Sequence, residues 1–349
     1  MREVSMIGLD TAKNVFQLHG CTSSGEMIFV KRLRRTGLLP FLAKQPACTV
    51  ALEACGASNH WARAIIKLGH AVKQVPPVFV KRFLDGDKTD RRDAEALAEA
   101  GLSAKLRPVA VKDEVAQAKA LNLKVRGLFV RQRTQTGNSL RGHLAEFGLV
   151  ARAGDRGLEA LIERVEAGET GLPAEAMEAI AALVAQWRKL GSEIERLSRD
   201  IACAAKADPR LSRLMSMPGV GPMIATAFAS KVDDPSRFRS SHACVSWLGL
   251  APKEYSSGDK RKIGHISKAG DEDVRMLLIL GAVSVLSKAR RFPDKASDPW
   301  IGAILARKPF KVAAVALAAR MARTLWAMMK SGETYQPRRM SQTNIPAAT

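Results

Sequence analysis

An α/β N-terminal domain, then a helical arm, then a mostly α-helical C-terminal domain is the fold class this sequence predicts, and three observations carry it. Residues 1–104 alternate short apolar runs with amphipathic stretches. Residues 105–207 hold two long helical patterns with almost no strand signal. From 208 to 335 the chain is compact and basic, with Pro, Gly and Ser clusters, and the stretch 336–349 is expected to be a disordered tail.

In the first region, Val4, Met6, Ile7 and Leu9 read as a buried strand over 4–9 that ends on Asp10. A second strand follows over 14–19 (NVFQLH) after a short turn, and a third over 26–31. A helix is expected near 37–44, a strand at 48–52 (CTVAL), a helix at 58–68, a strand at 70–75, and helical segments to 102. Three strands followed by alternating helices and strands are the order of a ribonuclease-H-like sheet. In the second region one helix is expected from Val115 to about Phe147 and another from Pro173 to Ala207. The break Ala153-Gly154-Asp155-Arg156-Gly157, with a short helix after it, separates them. Two long antiparallel helices with polar outer faces make a coiled-coil arm. No internal repeat is visible.

The charge narrows the partners. The 349 residues carry a net charge of +21, and 46% of them are hydrophobic. Such a chain is globular, long enough for two or three domains, and attracted to phosphate backbones, with anionic membrane as the competitor. Arg2 and Glu3 lead into a strand, so no signal peptide is expected. Apolar runs such as 276–286 are too short to span a bilayer. Cys21, Cys48, Cys55, Cys203 and Cys244 form no CxxC pair, which argues against a structural zinc site or a disulfide framework. A cytoplasmic, nucleoid-associated protein working on nucleic acid, with no membrane partner, is the expectation.

Carboxylates then stand out by position. Asp10 ends the first strand, and Glu53 ends ACTVALEACG before a glycine turn. Asp90 and Asp93, three apart at a helix start, share one helical face. If strands one and four are neighbours, Asp10 and Glu53 lie side by side, and the helix of Asp90 and Asp93 can cover that edge. Four acids without paired lysines repel unless divalent cations neutralise them, and an all-oxygen set suits Mg²⁺ or Mn²⁺. Taken singly, Asp90 and Asp93 are also ordinary helix N-terminal acids. Asp85, Asp87 and Glu95 are weaker substitutes.

The third region adds two signals. MSMPGVGPMIATAFAS places Pro-Gly-x-Gly between helical segments, the pattern of a helix-hairpin-helix. There Gly219 and Gly221 would bring backbone amides to a DNA phosphate; an ordinary tight turn has the same composition. Next, Ser256 and Ser257 lie among Lys253, Lys260, Arg261, Lys262, Lys268 and Arg275. A serine there could attack a phosphate held by those cations, although no neighbouring base is evident and both serines also suit a turn. On the first arm helix, Arg126, Arg131, Arg133 and Arg141 offer either a further nucleic-acid surface or a solvated face.

The segments GLDTAK, LEACG, KTDRRDAEALA, MPGVGPMIA and WLGLAPKEYSSGDKRKIGHISKAGDEDVR, in this order over roughly residues 4–330, resemble the insertion-sequence-110 family of transposases, relatives of the Piv and MooV DNA invertases. The resemblance implies an N-terminal RuvC-like domain whose DEDD tetrad falls on Asp10, Glu53, Asp90 and Asp93. It implies a C-terminal transposase domain whose nucleophilic serine falls on Ser257, with Ser256 adjacent. It further implies excision and insertion through a 5′-phosphoserine intermediate, and a composite active site across the subunits of a homo-oligomer (dimer or tetramer). Donor and target DNA would be paired by an element-encoded noncoding guide (bridge) RNA. A metal-dependent RuvC-type nuclease would need only the four acids, and a non-catalytic DNA-binding protein only the charge.

Overall fold

In a computed structural model of the chain, residues 3–84, 89–255, 262–293 and 298–337 are described; the latter part of the expected tail, from 338 on, lies outside them. The chain divides into two compact units, Met1–Gln117 and Ala118–Thr349.

The first unit is a mixed α/β domain. Strands β1 (Met6–Thr11), β2 (Val15–Cys21) and β3 (Met27–Arg34) are followed by helix α1 (Leu38–Leu42), β4 (Thr49–Glu53), α2 (Ser58–Lys67), β5 (Ala71–Val75), the short α3 (Pro77–Val80) and α4 (Asp90–Leu102). The sheet order is β3-β2-β1-β4-β5. β1 pairs antiparallel with β2 and parallel with β4, so strands one and four are neighbours, and β5 extends the parallel half. The third strand runs three residues beyond the expected 26–31. Its basic end, Lys31 to Arg34, continues the ladder to β2 as far as Val15↔Arg34, and charged side chains are tolerated there because β3 is an edge strand.

Side-chain alternation splits the sheet into two faces. Ile7, Leu9, Val50 and Leu52 pack with Phe16, Leu38, Leu42, Trp61 and Ile65 on the side of α1 and α2. Met6 and Ala51 pack with Leu97, Ala98 and Ala100 of α4 on the other. Asp10 is two and four residues beyond Gly8 and Met6, and Glu53 is two beyond Ala51, so alternation puts both acids on the α4 side.

The second unit is helical, with one small hairpin. It opens within α5 (Glu114–Glu146), followed by α6 (Asp155–Glu166), α7 (Ala174–Ala207), α8 (Pro209–Met215), α9 (Pro222–Val232), α10 (Ser241–Trp247), the hairpin β6 (Pro252–Glu254) and β7 (Ile263–Ile266), α11 (Glu272–Arg291), α12 (Pro299–Arg307) and α13 (Phe310–Ser331). α5 and α7 run antiparallel: Lys119 meets Asp208, Arg126 meets Ser198, and Gly137 faces Trp187. On α7 the residues Ile180, Val184, Trp187, Gly191, Ile194, Ser198, Ile201 and Ala205 follow alternating steps of four and three, the spacing of a coiled-coil seam. Leu140, Leu144, Leu158, Ile162, Val184 and Trp187 form a core of their own where α6 joins the pair. A second core gathers α8 to α13 around Phe228, Leu278 and Met321. Helix α13 is apolar and long enough to cross a membrane by length and composition, and half of that window is buried inside the unit. Arg320 and Arg323 interrupt its apolar run, so the sequence pattern does not single it out.

Candidate active site

The site begins with what lets α4 approach the sheet. A Cβ on Gly8 would lie 1.9 Å from the Ala94 carbonyl oxygen and 2.6 Å from the Ala98 amide nitrogen. One on Gly101 would lie 2.8 Å from the Ala51 Cβ. Small residues on both sides therefore let the helix lie directly on β1 and β4. Its N-terminus is fixed by Thr89, whose hydroxyl accepts from the Arg92 amide and whose carbonyl accepts from the Asp93 amide. Asp90 and Asp93 occupy the first turn, where acids oppose the helix dipole favourably.

The result is a carboxylate cluster. Oxygens of Asp10, Asp90 and Asp93 lie within 4.8 Å of one another. Glu53 stands one residue past the last paired position of β1 and β4, Leu9↔Leu52, as Asp10 does on the neighbouring strand. The Asp10 carboxyl is pushed up to about 6, by burial first and then by the negative charges of Asp93, Asp90 and Glu53; the Thr11 amide opposes this. An all-oxygen set that raises its own proton affinity in this way is suited to a divalent cation, which would relieve the repulsion. Glu95, a weaker substitute, is exposed and outside the cluster; Asp85 and Asp87 lie outside the described residues.

In the second unit, α8 and α9 flank the Pro-Gly-Val-Gly turn. Gly219 has φ +81, and a Cβ there would lie 2.6 Å from Val285 Cγ2 and 2.9 Å from the Gly281 carbonyl, so this glycine packs the turn against α11. Gly221 caps α9 with open space where its Cβ would be. Lys253 on β6 and Lys262 and Lys268 beside β7 are exposed. Ser256, Ser257, Lys260 and Arg261 lie outside the described residues. Tyr255 and Lys262, which bracket them, are joined by a 2.8 Å backbone hydrogen bond. Lys268 has φ +54, uncommon for a side chain of this kind. Buried Arg275 holds that loop, its Nη1 donating to the carbonyls of Leu248 (3.1 Å) and Ala269 (3.0 Å).

Comparison with known proteins decides the family. Residues 7–148 match a transposase family model of the DEDD, IS110 type, and residues 211–296 match the model described as the transposase IS116/IS110/IS902 family. The "Probable family 20 transposase" of Pseudomonas aeruginosa is 40% identical over 96% of this chain and 99% of its own length. The transposase for insertion sequence element IS1111A of Coxiella burnetii is 34% identical over 96% of this chain and 92% of its own. That for element IS1328 of Yersinia enterocolitica is 32% identical over 96% and 99%. The chain belongs to the IS110 family of transposases.

The transposase therefore acts on DNA, cleaving and transferring strands. Its first matched segment contains the whole carboxylate cluster, and its second contains the Pro-Gly-Val-Gly turn and the basic block with both serines. Sequence reasoning did not anticipate what the arm arginines do in this IS110 transposase. Arg126 donates to Ser198 at 2.6 Å, and Arg133 pairs with Asp155 while lying 4.1 Å over the Trp187 ring. Arg141 donates to the carbonyls of Arg152 and Gly154. Of the four, Arg131 alone makes no hydrogen bond or ion pair among the described residues. A seven-residue step from Lys119 through Arg126 and Arg133 to Leu140 is the signal that places Arg126 and Arg133 at the helix–helix seam.

Proposed function

We propose that this IS110 transposase excises and inserts its element through a covalent serine–DNA intermediate, on an N-terminal domain of RuvC-like, ribonuclease-H-like type. The observation that carries the metal-dependent part is the meeting of Asp10, Asp90 and Asp93 within 4.8 Å, beside Glu53. These four residues would hold Mg²⁺ or Mn²⁺. When bound, the ions would polarise a scissile phosphate and stabilise the leaving oxygen.

The resemblance of the SSG block supports Ser257 as the nucleophile. Its Oγ forms a bond to phosphorus, the bond from phosphorus to the 3′ oxygen breaks, and the serine proton is given up as the 3′ oxygen takes one on. The strand is left with a free 3′-hydroxyl and a 5′-phosphoserine, which conserves the phosphodiester for rejoining. Lys253, Lys260, Arg261, Lys262 and Lys268 would neutralise the phosphate, and the turn at Gly219 and Gly221 would seat the flanking backbone. Homo-oligomeric assembly, as dimer or tetramer, would combine acids and serine from different subunits. An element-encoded guide RNA would pair donor and target DNA, and the charge of +21 supports binding more nucleic acid than the DNA that is cut. A cytoplasmic, nucleoid-associated location follows from that substrate.

The test is to react the full-length protein, with the RNA transcribed from the element's flank, on a nicked duplex carrying the element's end. A denaturation-resistant protein–DNA adduct whose phosphorylated peptide contains Ser257, lost in Ser257→Ala, supports the reading. An adduct lost only in Ser256→Ala moves the nucleophile by one residue. Cleavage with no adduct in any variant hands the chemistry to a water-using, RuvC-type nuclease. Full-rate recombination of the natural sites by RNA-free protein removes the guide.

A further inference from the structure

A second basic surface lies apart from the hairpin and its serine block. Helices α11 and α13 pack antiparallel, Gly281 of α11 lying against Met321 of α13. The C-terminus of α11 consequently meets the N-terminus of α13. There Ser287, Arg290 and Arg291 of α11 and Phe310 of α13 line a cavity of about 260 Å³. Arg307 and Lys308, at the end of α12, precede Pro309 and the start of α13, and Lys311 stands in its first turn. With Lys288, Arg290 and Arg291 this makes six exposed cations at one end of the bundle. None of them has an acidic partner among the described residues.

The ordinary reason for such charges covers five of the six, taken one helix at a time. Lys288, Arg290 and Arg291 end α11, and Arg307 and Lys308 end α12, where cations favour the helix dipole. Only Lys311 stands at the opposite kind of helix end, the first turn of α13, with Arg307 and Lys308 just ahead of it across Pro309. The first turn of α13 contains no acid, and Pro309 offers no side-chain cap. Cations crowded at a positive helix end raise the energy of the free protein, and an anion supplied from outside lowers it. Phe292, 44% exposed, and Val312, 51% exposed, flank the patch, but the six charges outnumber the apolar side chains. That balance suits a phosphodiester backbone better than a lipid surface.

We infer that this end of the α11–α13 pair is a DNA-backbone contact surface, with Arg290, Arg291 and Lys311 around a phosphate and Lys288, Arg307 and Lys308 on its neighbours. The inference rests on DNA as the substrate of the family. It does not depend on the serine, the metal or the guide RNA.

The test is the affinity of the full-length protein for a short duplex DNA as a function of salt, in wild type and in Arg290→Gln/Arg291→Gln/Lys311→Gln. A control variant, Lys44→Gln/Lys67→Gln/Lys105→Gln, removes equal charge from exposed positions elsewhere. Each phosphate that the protein no longer neutralises lowers the salt slope by about 0.9, so the first variant is expected to lose about 2 to 3 units of slope and roughly 10- to 100-fold in affinity at physiological ionic strength. The control keeps more of both. All three changed residues are exposed, and an unchanged melting curve checks folding. Wild-type slope and affinity in the first variant, or a loss no greater than the control's, overturns the surface. So does a loss seen only with single-stranded RNA or with anionic phospholipid vesicles. A wild type that binds no duplex DNA would instead sink the DNA reading itself.

Discussion

Gly8 of β1 and Ala94 of α4 are in backbone contact: a single methyl on Gly8 would lie 1.9 Å from the Ala94 carbonyl oxygen. This contact sets the height of α4 above the strand ends and hence the distance from Asp90 and Asp93 to Asp10. Because the obstacle is backbone, no side-chain rotation relieves it. Gly8→Ala is expected to push the helix outward, cost about 1–3 kcal/mol of stability and weaken Mn²⁺ binding. Calorimetric titration with Mn²⁺ and a thermal melt check both. Unchanged metal affinity in Gly8→Ala would separate helix height from the site.

Asp10 should make the metal-free protein less stable as pH rises. Its folded carboxyl is pushed up from 3.8 to about 6, so between those values the folded chain holds a proton that the unfolded chain gives up. Stability contributed by this group is therefore full below about pH 4 and declines through pH 6. Asp10→Asn removes the cost at neutral pH. In EDTA at pH 7.5 the melting temperature of Asp10→Asn is expected to exceed that of wild type by about 2–4 °C, the gain from about 1 kcal/mol. The difference should vanish near pH 4. Equal melting temperatures across the whole range would contradict the crowding of the cluster.

Arg133 and Arg131, two residues apart on α5, should respond oppositely to substitution. Arg133 lies over Trp187 and pairs with Asp155, so Arg133→Met is expected to cost about 1 kcal/mol of stability with little change in nucleic-acid affinity. Arg131 has no such partner, and Arg131→Gln should leave the melt unchanged. Chemical denaturation and salt-dependent binding, run on both variants, check the contrast. A large loss of RNA or DNA affinity in Arg133→Met would return that side chain to the nucleic-acid surface.

Buried Arg275 should matter through the loop it holds. Arg275→Leu leaves the carbonyls of Leu248 and Ala269 without their donor, a loss of about 1–3 kcal/mol, while the neighbouring Lys268 stays exposed. A melt reads that loss directly, and a wild-type melting temperature would show that the two carbonyls find other donors.

Much of the N-terminal arrangement is readable before any coordinates. Apolar alternation through Ile7 and Leu9 places Asp10 on the opposite face, the same reasoning places Glu53, and the three-residue step from Asp90 to Asp93 puts both on one side of a helix. The reach of α4 is less readable. It depends on Gly8, Ala51, Ala94, Ala98 and Gly101 meeting across two elements, and small residues carry no periodic signal that names their partner. Arg126, Arg133 and Arg141 mislead for a related reason. A cation on a long polar helix looks solvated until its neighbours supply Ser198 and Trp187 on α7, Asp155 on α6 and the carbonyls of Arg152 and Gly154. The β6–β7 hairpin escapes sequence reasoning because its strands are short and mostly exposed, without the alternation that marks a half-buried strand.

Strand cleavage of a duplex carrying the element's own end bears most directly on the carboxylate cluster as the seat of metal-dependent chemistry. It should be measured in Mn²⁺ and in EDTA, with wild type and with Asp93→Asn, alongside DNA affinity under the same conditions. The expected result is cleavage in Mn²⁺ that falls roughly a hundredfold or more both in EDTA and in Asp93→Asn, with DNA affinity close to wild type because the basic surfaces are untouched. Undiminished cleavage in EDTA, or by Asp93→Asn in Mn²⁺, would contradict it.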